Sequence, residues 1–250
     1  MLCMAFIYLY IRYMSVLKCR DMEVNEIIAE LHKLASEDHY NKLSRFGIPA
    51  DKAIGVKIPD LRRLAKKIGK NQKTGFSLWK TDIHEARLLA SMIMDGRLLT
   101  EYEFDGLVND FDSWDICDCT CSMLQKSLFA RNKIDEYADN QNEYVKRTAF
   151  VLICYFAVID KSKSDDFFNP FFKIIEKEAW DDRNFVRKAV NWALRQTGKR
   201  NENLRIKAIE TANDILKQNT KSARWIAKDA IRELNDEKII VRIRKKADLL

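Results

Sequence analysis

Apolar residues recur along this chain three and four positions apart, the spacing of one face of a helix, with charged residues between them. Ile27, Ile28, Leu31 and Leu34 form one stripe, Leu61, Leu64, Ala65 and Ile68 a second, and Leu88, Leu89, Met92 and Ile93 a third. The first predicts an amphipathic helix over Glu23 to Ala35. Breaks are predicted at Gly47-Ile-Pro49, Lys57-Ile-Pro59, Gly69 to Gly75, Asp95-Gly96, Asp160 to Ser164 and Gly198. Pro59 followed by Asp60 suits a helix first turn. Helices of roughly 10 to 17 residues joined by short loops are predicted, which means a bundle or a solenoid.

An internal repeat chooses between them. Tyr144-Val-Lys-Arg147-Thr-Ala aligns with Phe185-Val-Arg-Lys188-Ala-Val and with Trp225-Ile-Ala-Lys228-Asp-Ala, at offsets of 41 and 40 residues. That is close to the roughly 40–47 residues of HEAT and armadillo units. The predicted fold is therefore all-α: a HEAT-like or armadillo-like solenoid of antiparallel helix pairs with a concave basic face. Equivalent repeat positions project from one face, so Arg147, Lys188 and Lys228 are expected to form a cationic row about 10 Å apart. Arg187, Arg195, Lys199, Arg200, Arg224 and Arg232 are placed to thicken it.

Composition supports helix and excludes several classes. Only 7 Gly and 3 Pro occur in 250 residues, too few turn formers for a sandwich, a barrel or a doubly wound sheet. Neither GxGxxG nor GxxxxGK[ST] is present, which removes the Rossmann and P-loop classes. Three scattered His (His32, His39 and His84) count against a histidine metal site or a triad. The formal charge of +7 is unevenly placed. Residues 183–250 hold 18 Lys and Arg against 8 Asp and Glu, a net +10, while residues 1–182 are at −3. Basic charge concentrated in one region is the electrostatic signature of nucleic-acid binding. Of the six Cys, Cys117 and Cys121 share a helix face and Cys119 points away, so the three cannot ligate one metal; buried thiols of a reduced cytoplasmic protein are expected.

Residues 2–17 are strongly apolar, but the run is too short to span a bilayer and is interrupted by Arg12. It lacks the charge order and cleavage site of a secretory signal. Residues 1–21 are read as an extension outside the fold, with Met22 as the natural start; a weak membrane anchor is the alternative. Residues 22–250 are read as one HEAT-like repeat domain.

The stretch Asn109-Asp-Phe-Asp-Ser-Trp-Asp-Ile-Cys-Asp118 places four carboxylates and an indole within ten residues. Asp112 or Ser113 suits an N-cap, and Asp115 suits the positive end of the helix dipole. Asp118 has no such explanation. It lies one turn beyond Trp114 on the same face, and a carboxylate beside an indole suits a cationic ligand. Trp192, one turn after Lys188, faces the way the basic row does. Trp79, Trp180 and Trp225 are read as packing residues.

These motifs resemble the AlkD-type DNA alkylation repair proteins, HEAT-like DNA glycosylases. The resemblance rests on Gly55-Val-Lys-Ile-Pro-Asp-Leu-Arg62, His84-Glu-Ala-Arg87, Phe111-Asp-Ser-Trp-Asp-Ile-Cys-Asp118, Phe185-Val-Arg-Lys-Ala-Val-Asn-Trp-Ala-Leu-Arg195 and Ala223-Arg-Trp-Ile-Ala-Lys228, in order over about residues 23–240. It implies excision of N3- and N7-alkylated purines from duplex DNA without a metal or cofactor and without base flipping. It also implies Asp118 as the catalytic aspartate, with Trp114, Trp192 and Arg147 around it. The expected DNA contacts are Arg147, Lys188, Lys228, Arg187, Arg195 and Arg87, and the expected state is a cytoplasmic monomer. Two alternatives stay open: a binding-only member that grips branched or damaged DNA, and a HEAT scaffold for a protein partner.

Overall fold

The computed structural model describes residues 22–247, and its regular structure is helical. The apolar extension at residues 1–21 and the question of Met22 lie outside the described residues. Among the described residues, no helix is long and apolar enough to cross a membrane. The helices gather into two compact units, one ending at Leu98 and the other beginning at Leu99.

The first unit contains α1 (Val24–Lys33), α2 (Glu37–Leu43), α3 (Ile58–Ile68), α4 (Gln72–Trp79) and α5 (His84–Ile93). Its core is built from the predicted stripes: Ile27 and Leu31 of α1, Leu61, Leu64 and Ile68 of α3, and Leu88, Leu89 and Ile93 of α5 are buried. Pro59 sits in the first turn of α3, where its missing N–H costs nothing. The break expected from Gly69 to Gly75 is shorter than predicted. Asn71 caps α4 by accepting from Thr74 N at 3.0 Å, so Gly75 lies inside the helix. A Cβ there would collide with Met94 Cγ, so this glycine allows close approach rather than a turn.

The loop Ile54-Gly55-Val56 is held by a single buried carboxylate. Glu85 accepts from Ile54 N at 2.8 Å, from Gly55 N at 2.6 Å and from Val56 N at 3.1 Å. Gly55 has φ +91°, and a Cβ there would lie 2.7 Å from Ser36 O. Glycine is required on both counts.

The second unit contains α6 (Glu101–Asn109), α7 (Trp114–Leu124), α8 (Ala130–Tyr137), α9 (Glu143–Ile159), α10 (Asp165–Lys177), α11 (Asn184–Gly198), α12 (Glu202–Lys217), α13 (Lys221–Leu234) and α14 (Glu237–Ala247). The 40-residue repeat is realised as one helix pair per repeat. The matched segments open α9, α11 and α13, and these stack in succession, with α7 against α9, α9 against α11 and α11 against α13. Helices α10 and α12 form the other layer, each against α11. Tyr144 and Phe185, the first two aromatics of the repeat, stack with centroids 6.0 Å apart. Gly198 closes the α11 packing: a Cβ there would meet Ala208 Cβ at 2.8 Å and Leu234 Cδ2 at 3.0 Å.

Candidate functional site

Three successive packed helices, α7, α9 and α11, contribute to one side-chain cluster. Ser113 takes the N-cap position of α7 in extended backbone, which leaves Trp114 as the first helical residue and puts Asp118 one turn further on. Asp115 accepts from Ile116 N at 3.0 Å, which gives it the local structural role expected of a first-turn carboxylate. Cys117 and Cys121 are buried with free thiols, and Cys117 faces α9, 3.5 Å from Thr148 Oγ1.

Asp118 is held by Arg147 of α9. Arg147 Nε donates to Asp118 Oδ1 at 2.9 Å and Nη2 donates to Oδ2 at 2.8 Å, the parallel fork that matches guanidinium to carboxylate. Its third nitrogen, Nη1, donates to the Phe185 carbonyl at 2.6 Å, which ties the pair to the start of α11. The Arg147 side chain is 6% exposed, while Asp118 keeps 19%, so the pair shows solvent chiefly the carboxylate. Burial pushes the Asp118 carboxyl up from its ordinary value, and the Arg147 charge and hydrogen bonds pull it back. Burial alone would lower the Arg147 pKa; Asp118 outweighs it, and the guanidinium stays firmly protonated.

Two aromatic residues complete the cluster. Trp192 of α11 stands edge-on to Tyr155 of α9, with centroids 6.2 Å apart and planes at 73°. With the Gln196 amide turned so that its oxygen faces inward, Trp192 Nε1 donates to Gln196 Oε1 at 2.9 Å, which fixes the indole on α11. Burial, with the nearby Asp118 charge, pushes the Tyr155 phenol well above its ordinary pKa, so it stays neutral. Sequence reading missed Tyr155. The available signal was a single aromatic with a polar tip inside the apolar run from Ala149 to Val158.

A family described as DNA alkylation repair enzyme matches residues 27–234. The chain belongs to this family. Among solved structures, it is similar to a member of a family related to the HEAT-like repeat DNA glycosylases with affinity for branched DNA structures. The TM-score is 0.75 over 89% of this chain and 96% of that one, at 18% identity. At that identity the likeness is one of fold, and it makes this an all-α, HEAT-like repeat protein of the kind the repeat predicted. Comparison with curated proteins finds no match.

Of the three cations expected to form a row, one is withdrawn from the surface. Lys188 and Lys228 are exposed, whereas Arg147 at the equivalent position is buried and committed to Asp118. The three residues hold equivalent places in the sequence repeat, but a carboxylate on the neighbouring helix, Asp118, engages the first. Arg187 stands 5.2 Å over the Trp225 ring and remains half-exposed. Arg195 is paired with Glu233 and lies 3.5 Å from Asp229, so its charge is largely matched on α13. Lys199 reaches the same Glu233 at 2.5 Å, and Arg232 pairs with Asp229.

Arg87 is also corrected. It is buried at 2% exposure, 4.5 Å over the Trp79 ring and 3.8 Å from Asp82, so it is not the exposed cation a phosphate contact needs. Trp79 is a core residue as expected, but Trp180 and Trp225 are exposed, each with a cation over its ring.

Proposed function

We propose that this chain is a DNA glycosylase that releases positively charged N3- and N7-alkylated purines from duplex DNA. The observation that carries the reading is a partly open carboxylate, Asp118, fixed at both oxygens by a buried arginine, one turn beyond Trp114 and close enough to Tyr155, which packs edge-on to Trp192, for its charge to be felt there. Alkylation at those nitrogens makes the base cationic, so the C1′–N bond breaks with its electron pair leaving on the base, and no general acid is needed. The sugar then carries oxocarbenium character, as in related glycoside cleavages. Asp118 lies ready to stabilise that charge and to orient the water that attacks C1′, whose proton passes to the carboxylate or to solvent. Preorganised charge of this kind is commonly worth a few kcal/mol.

Arg147 takes a different part from the phosphate ligand expected at first. It sets the direction of the carboxylate and opposes the rise that burial causes in its pKa. Trp114 and Trp192 supply ring faces that favour a positive sugar or base. Lys188, Lys228 and Arg187 are the phosphate contacts this reading retains; they position the duplex and carry no sequence information.

A second reading is favoured by one observation. Both Asp118 oxygens are engaged by Arg147, an arrangement that suits a structural ion pair in a protein that binds damaged or branched DNA without cutting it. Release of 7-methylguanine or 3-methyladenine from methylated duplex separates the two. The glycosylase reading expects wild type to release base and Asp118→Asn to be slower by at least about tenfold, roughly 1.4 kcal/mol, with duplex affinity kept. Binding without release by the wild type leaves the second reading.

A further inference from the structure

A cavity of about 250 Å³ opens beside the cluster, between the C-terminal ends of α9 and α11 and the last helix, α14. Four of its nine lining residues are cations (Lys161, Lys199, Arg200 and Arg242), and none is acidic. Its apolar wall includes Ile239 and Ile243 of α14. We infer that this cavity is a second ligand site, which takes an unpaired nucleotide of bound DNA through its phosphate.

The charge exceeds what the fold needs there. The C-terminal end of α9 leaves carbonyls to satisfy, and one cation suffices: Arg200 Nη1 donates to Ala157 O at 2.9 Å and Asp160 O at 2.8 Å, and Nη2 donates to Lys163 O at 2.8 Å. Arg200 Nε is buried and makes no hydrogen bond. Lys199 is matched by Glu233 from α13, and Lys161 reaches Ala157 O at 3.5 Å. Arg242, exposed on α14, adds a further positive charge to a wall lined, among the described residues, by no carboxylate, although Glu233 pairs with Lys199 and the Asp160 and Asp165 charges act on Arg200 from behind it. A surplus of cations beside an apolar wall suits an anion attached to an apolar body, which is what one nucleotide presents: phosphate at one end, sugar and base at the other.

Size and position agree. The volume is just below the roughly 300 Å³ at which small-molecule pockets begin, too small for a duplex and of the order of one nucleotide. Trp192, Gln196 and Lys199 lie on one face of α11, and Gln196 both accepts from Trp192 Nε1 and lines the cavity. Lys199, at the C-cap of α11, is seven positions beyond Trp192, about 10 Å along the axis, so the site lies within reach of a nucleotide next to one held at Trp192. The inference rests on the chain acting on DNA and does not require Asp118 to be catalytic.

Calorimetric titration of the whole chain with 2′-deoxyadenosine 5′-monophosphate, deoxyadenosine and inorganic phosphate tests it. The nucleotide is expected to bind at one site, more tightly than phosphate, and the nucleoside not to bind. Arg242→Glu combined with Lys161→Gln is expected to weaken nucleotide binding at least about tenfold without lowering the melting temperature. Duplex DNA carrying a single unpaired nucleotide is expected to displace the free nucleotide. Unchanged affinity in the double variant, equal affinity for phosphate and nucleotide, or simultaneous binding of nucleotide and DNA overturns the inference. Asp118→Asn serves as the second arm: it is expected to keep nucleotide affinity whatever it does to excision, so this inference and the glycosylase reading fail separately.

Discussion

Replacing Arg147 by Met keeps an unbranched apolar stem and removes the guanidinium with its charge. The structure sets the cost: two hydrogen bonds to Asp118, at 2.9 and 2.8 Å, and one to Phe185 O at 2.6 Å disappear together. Asp118 is left as a mostly buried carboxylate with no counter-charge. Breaking a buried pair from one side costs about 3–5 kcal/mol, most of it the burden of the abandoned charge. For a cooperative unit of this size, each kcal/mol lowers the melting temperature by roughly 2–4 °C, so a fall of about 6–20 °C is expected at pH 7. The sign of the pH dependence follows from burial, which raises the Asp118 carboxyl above its ordinary 3.8. A carboxyl raised in the folded state contributes its stability in full below the unfolded value and loses it as pH rises through the folded value. The deficit of Arg147→Met relative to wild type should therefore shrink toward about pH 4 and be largest above neutrality. Adding Asp118→Asn removes the abandoned charge, so the double variant should regain most of the loss and show no such pH dependence. The assay is thermal unfolding by circular dichroism for wild type, both single variants and the double variant, from pH 4 to pH 8. An Arg147→Met protein that melts with wild type at pH 7 would refute the claim that the pair is closed and buried, and with it the positioning role assigned to Arg147.

The remaining predictions address DNA and the fold. Lys188→Ala and Lys228→Ala should each weaken binding to any duplex and flatten the log–log salt dependence by about 0.9 for each phosphate left without its cation, whereas Arg87→Ala should leave that slope alone and lower stability; a changed slope for Arg87→Ala would show its burial to be misjudged. Uncharged lesions such as hypoxanthine should be released far more slowly than 7-methylguanine in one duplex context, and Trp114→Ala or Trp192→Ala should slow release of the charged lesion by about two- to thirtyfold, from cation–π contributions of roughly 0.5–2 kcal/mol. Equal rates on charged and neutral lesions would sink the leaving-group argument. Gly55→Ala should cost at least about 1–3 kcal/mol, because φ +91° and the Ser36 carbonyl both exclude a Cβ; denaturant unfolding measures it, and an unchanged midpoint would contradict the loop geometry.

The helices were legible along the chain because helical periodicity is a local property. The stripes through Ile27, Leu61 and Leu88 became buried faces, and the scarcity of Gly and Pro excluded sheets for reasons of turn chemistry alone. The repeat was legible too, since nearly equal offsets of an aromatic and a basic residue place equivalent side chains on successive packed helices. What no local pattern held was which neighbour each side chain meets. Arg147, Lys188 and Lys228 are alike in sequence, yet only Arg147 faces a carboxylate across a helix interface, and that single contact turns a surface cation into a buried one. Arg87 was misjudged for the same reason, since the Trp79 ring that covers it lies on another helix. Tyr155 and the Phe185 carbonyl entered the site only through packing, the first as an aromatic in an apolar run and the second as a backbone atom with no side-chain signal. Asp118 was found from sequence because it was a charge without a local reason, and tertiary structure supplied the reason: the guanidinium that holds it comes from a helix 29 residues away along the chain.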